Sequence, residues 1–166
     1  MSKSKKVKIP DMTEIYKQIE QERLSKTEAV KVNAKALFDA LDDTKITSIV
    51  VEFDGCGDSG QITSIDYYDH RNKDQGEPQM KVKGSFVDKH HEWDDKQKKF
   101  VEVGGGEGSV RAIVEQVCYD RLGGKHPGWE INEGSYGTFT FDTVNRKIEL
   151  EFNERVESVR STSESF

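Results

Sequence analysis

The chain has 166 residues, 33% hydrophobic and 34% charged, with a formal net charge of −6, which fits one domain with a modest core and much of its surface in solvent. Residues 1–41 hold nine Lys/Arg against six Asp/Glu, so the acidic excess lies in the remainder, and an acidic body repels phosphate backbones and argues against nucleic-acid binding. No apolar run suits a signal peptide or membrane span, and Cys56 and Cys118 are too few and too far apart for a disulfide framework or zinc site, so a cytoplasmic protein with reduced thiols is expected.

The opening MSKSKKVK is a basic, solvated start. Asp11 and Glu14 have the spacing of a capping box, as do Ser25 and Glu28. A loosely attached helix over 11–23 and a second, core-packed helix over 27–41 are predicted. The second carries Val30, Ala34, Leu37, Phe38 and Leu41 on one face.

Residues 46–53 (ITSIVVEF) and 61–68 (QITSIDYY) read as strands joined by DGCGDSG, a glycine-rich hairpin loop. GDSG also spells the nucleophile loop of chymotrypsin-like proteases. That template needs a histidine earlier in the chain, and none precedes Ser59; the first is His70. The turn is the better reading.

Residues 70–105 form a charged insert. Within it MKVKGSFV and KKFVEV are candidates to pair across DKHHEWDDKQ. His90 and His91 are adjacent, so on a strand they point to opposite faces and do not share a metal. GGGEGS lacks the Lys-Ser/Thr of a phosphate loop. A helix follows from Ser109, with Val110, Ile113, Val114, Val117 and Leu122 on one face and Gly123-Gly124 as its stop. His126 then stands alone in a turn.

Residues 138–142 (TFTFD) and 147–152 (KIELEF) alternate strictly and predict a hairpin with one buried and one wet face. Residues 157–166 are a polar tail with Phe166 as a candidate anchor. The whole predicts an α+β fold: two antiparallel hairpins forming a sheet packed against helices, with residues 1–26 as an N-terminal extension and 27–156 as the domain.

If both hairpins share one sheet, Glu52, Asp54, Asp142, Glu149 and Glu151 form an acidic strip. Glu52, Asp54 and Asp58 around the glycine loop are the candidate ligands for a divalent cation, although the spacing is not that of an EF-hand. No other cofactor is expected. Trp129, Glu130, Glu133 and Tyr136, set among glycines, are candidate partner contacts together with Asp142, Glu149 and Glu151 of the strip, since aromatics carry much contact area at little entropic cost; capping the core is the alternative use for both rings.

VEFDGCGDSGQI, GWEINEGSYGTFTFD and IELEFNERV, with a Ser/Glu-rich end closing in Phe, resemble a group of small acidic proteins known as a domain of unknown function. The resemblance covers roughly residues 35–68 and 109–166. It implies carriage on bacterial plasmids, phages and integrated elements, and it transfers no activity. The expectation is a non-enzymatic binding or regulatory protein with a protein partner; the alternative is a metal-dependent enzyme using Glu52, Asp54 and Asp58.

Overall fold

The computed structural model describes residues 12–84, 90–94, 99–103 and 106–166, with side chains outside 85–105. In chain order the elements are α1 (Met12–Leu41), β1 (Ser48–Tyr68), β2 (Lys81–Gly84), β3 (His90–Asp94), β4 (Lys99–Val103), β5 (Gly106–Ser109), α2 (Val110–Lys125), β6 (Ile131–Asp142) and β7 (Lys147–Glu154).

α1 is one helix of 30 residues, where a break near Ser25 was expected. The local polar groups are absorbed within it: the Thr27 hydroxyl donates to the Arg23 carbonyl at 2.8 Å, and Lys31 pairs with Glu28. The predicted contrast between its halves is present in burial. Met12, Tyr16 and Leu24 are exposed, whereas Leu37, Phe38 and Leu41 enter the core.

α2 starts where predicted, with the Ser109 hydroxyl accepting from the Ala112 amide at 3.1 Å. It does not stop at Gly123-Gly124 but runs to Lys125. Those glycines lie against α1: a Cβ at Gly123 would stand 3.4 Å from Lys26 Nζ, and Arg23 Nε donates to the Gly124 carbonyl at 3.4 Å. Close helix packing, not termination, is their use here.

The main sheet has the order β1-β6-β7, antiparallel throughout, so β6 is central. β6 pairs with β1 from Ser48↔Asp142 to Asp58↔Ile131. A fully extended β1 of 21 residues would span roughly 70 Å. Yet the Thr47 amide donates to the Tyr68 carbonyl at 2.8 Å, so the chain folds back midway. Gly57, with φ +77°, lies at that midpoint and supplies the turn. The predicted hairpin is therefore present, but extended structure runs through the glycine loop because Gly57 and Asp58 pair with Asn132 and Ile131.

The insert pairs differently from expectation. β2 pairs with β5, placing Val82 opposite Gly108, and β4 pairs with β3, not with β2. Gly106–Ser109 of the glycine-rich run is thus strand leading directly into the α2 cap; Gly104 and Gly105 lie outside the described residues. Val82, 2% exposed, anchors the start of this arm in the core.

The core lies between the sheet's inner face and the helices. Ile49, Val51 and Phe53 of β1 and Phe139 and Phe141 of β6 meet Val110, Ile113, Val114 and Val117 of α2 and Leu37 of α1. Burying side chains of this size contributes about 1.5–3 kcal/mol each. The tail after β7 has no regular structure, and Phe166 is fully exposed, so it anchors nothing.

Candidate functional site

Strand alternation sends the polar half of the β-residues outward. Register sets the rows across that face: Glu52, Thr138 and Glu151 in one, Asp54, Tyr136 and Asn153 in the next, and Val50, Thr140 and Glu149 in the row on the other side. Glu52, Asp54, Asp142, Glu149 and Glu151 therefore share one face, as the shared-sheet condition required. Glu52 and Glu151 flank Thr138 at roughly two interstrand spacings, about 10 Å. A strip of this kind is a field, not a chelating pocket.

Its members differ in how committed they are. Lys147 pairs with Glu149, and the Asn153 side-chain amide donates to Glu151 Oε1 at 3.4 Å. Asp142 accepts from the Asn145 amide at 2.8 Å and its side chain at 2.7 Å, and those bonds hold its carboxyl below the usual range. Asp142 thus shapes the β6–β7 turn. Arg146 in that turn reaches Asp39 of α1 and Asp42 just past its end, and fastens the hairpin to the helix.

Asp54 is held by a residue that the sequence reading passed over. Arg155 Nη2 donates to Asp54 Oδ2 at 2.7 Å, and Arg155 Nη1 to the Gly55 carbonyl at 2.9 Å. The guanidinium also lies 4.8 Å from the centre of the Tyr136 ring. It sits beside a bulge where Glu133 and Gly134 together oppose Cys56, with Gly134 at φ +68°. The only sequence signal was a lone Arg closing the acidic run IELEFNER.

The glycine loop places Asp58 beyond this bulge, while Asp54 faces Arg155. Among the described residues no group of three or more His, Cys, Asp or Glu is close enough to hold a metal ion. Ser59 is exposed on the hairpin's return strand.

The aromatic loop divides its labour. Trp129 packs edge-on against Phe53, with centroids 5.6 Å apart, and covers Gly55 and Gly60, where a Cβ would collide with the indole. Its carbonyl accepts from the Ser135 hydroxyl at 2.7 Å. Trp129 closes the core. Tyr136 is 46% exposed on the acidic face, and Glu133 is exposed beside it. One carboxylate oxygen of Glu130 is shielded from solvent, which sets it apart from the open face.

Beneath the β7 edge is an open apolar groove of about 450 Å³. Ile148, Leu150 and Phe152 form its floor, and Val30 and Val117 its far wall. His126 stacks on Phe152 at 3.9 Å and 18°, closing one end beside Arg121. Burial, and next the Arg121 charge, push the His126 pKa down. No helix among the described residues is long and apolar enough to cross a membrane.

A family described as "Family of unknown function (DUF6878)" has a sequence model that matches residues 29–166. No curated protein and no solved structure matches the chain.

Proposed function

Because the chain belongs to that family of unknown function, which brings no assigned activity, we propose from the surface chemistry that it is a non-enzymatic binding or regulatory protein acting through protein–protein contacts. The carrying observation is the open sheet face: Glu52, Glu149 and Glu151 on one side of the β1-β6-β7 sheet with the exposed Tyr136 ring among them. An exposed aromatic on a face where the glutamates outnumber the cations Lys147 and Arg155 suits a basic protein surface, since charge steers encounter and the ring supplies contact area. The resemblance to proteins of plasmids, phages and integrated elements extends this to an accessory factor of a mobile element or bacterial conflict system, working in the cytoplasm.

The test is capture of partners from bacterial lysate by the tagged chain and by its E149Q/E151Q and Y136A variants. A stoichiometric partner retained by the parent and lost from both variants supports the reading. A partner held equally by all three removes the face from it.

A further inference from the structure

The sheet ends in an open edge whose two sides differ chemically. β7 pairs with β6 along its length without a bulge, from Ser135↔Glu154 to Asp142↔Lys147. Among the described residues no strand pairs with its other side. A regular edge of eight residues leaves alternate N–H and C=O groups free to receive another strand. β7 contains no proline, and its apolar groove lies directly under the edge while Glu151 and Glu149, the latter shared with Lys147, lie above it.

A strand added there would alternate in the same way. Its inward side chains would meet Leu150, Phe152 and the Val30–Val117 wall, and its outward side chains would meet the two glutamates. A second copy of β7 is a poor occupant. Centred on Leu150, an antiparallel β7 pair sets each Glu149 against the other copy's Glu151, like charge against like.

We propose that the β7 edge receives an extended segment of a partner protein in which apolar and basic residues alternate, the apolar side chains entering the groove and the basic ones pairing with Glu149 and Glu151. This rests on the binding reading above and adds how the partner is held: by backbone pairing at the edge, with the face supplying charge. Arg121 at the groove's end makes acidic inward positions the tolerated exception.

The test is a fluorescein-labelled synthetic peptide of alternating Val and Lys, titrated into the full chain by anisotropy and followed in amide NMR spectra. Saturable binding is expected, with shifts at the amides of Ile148 to Phe152. Affinity should fall about tenfold or more in E149Q/E151Q. Backbone N-methylation of alternate peptide residues should abolish binding. Equal binding of a scrambled peptide of the same composition, or absence of shifts along β7, would overturn the proposal. A dimer in sedimentation with protected β7 amides would assign the edge to a second copy and overturn it too. A partner captured from lysate that the peptide fails to displace would sink the edge proposal alone and leave the face reading standing.

Discussion

Arg155 and Asp54 lie 101 positions apart in the chain, yet Nη2 of one is 2.7 Å from Oδ2 of the other. This contact fastens the end of the last strand to the first strand of the sheet, across the bulge in β6. Arg155→Ala should therefore destabilise the fold by about 1–2 kcal/mol, the charge-assisted bonds being partly open to solvent. Arg155→Lys should recover less than half of that, since an ammonium cannot serve carboxylate, carbonyl and ring together. Urea denaturation of both variants checks the order; equal stability of all three proteins would remove the clamp.

Gly134 should tolerate substitution worst among the glycines of the sheet. Its φ is +68°, and an added Cβ would stand 1.8 Å from the Gly55 carbonyl oxygen. Gly134→Ala is expected to cost about 2–4 kcal/mol. Gly60→Ala should cost about 1–3 kcal/mol by displacing Trp129, with altered indole emission. Melting curves and tryptophan fluorescence separate the two mechanisms, since only Gly60→Ala acts through the ring.

His126 gives stability a pH dependence below neutrality. Its folded pKa lies under the ordinary value of 6.5, chiefly through burial. The unfolded chain therefore binds the proton first as pH falls. The contribution is complete above 6.5 and is lost on acidification between 6.5 and the lowered folded value. An NMR titration of the imidazole should show a midpoint below 6.5, and His126→Phe should flatten the slope of stability in that window. A midpoint at or above 6.5 would contradict the burial seen against Phe152.

Divalent cations should leave the melting temperature unchanged. Asp54 is engaged by Arg155, and the described carboxylates form no group of three suited to a metal ion. Thermal melts with magnesium, calcium, manganese and zinc test this, because any ion that binds the native state raises the midpoint. A saturable increase that is lost in Glu52→Gln or Asp58→Asn would revive the metal-dependent alternative.

The parts legible in the sequence are those where periodicity and local chemistry decide. The β6–β7 hairpin, the Ser109 cap and the turn at Gly57 each follow from residues within a few positions. What tertiary packing decides was hidden. Gly123-Gly124 has the composition of a helix stop and becomes a seat for α1 near Lys26. The pairing of β2 with β5 depends on an entire intervening arm. Trp129 was ambiguous between core and contact until its glycine seat fixed it. The acids of the strip were readable as sharing a face, while the Arg155 contact needed three strands in register before it existed.

The central place of β6 has a consequence for synthesis. Ile49, Val51 and Phe53 emerge from the ribosome long before residues 131–142, their only neighbouring strand on that side. Until then the nascent β1 hairpin carries an unfinished apolar surface, and pairing across so long a stretch is slow to close. A product terminated before Ile131 would keep both helices but lose β6 and β7 together, and with them every strand that pairs with β1 on that side. Quality-control proteases would meet such a fragment as an open substrate.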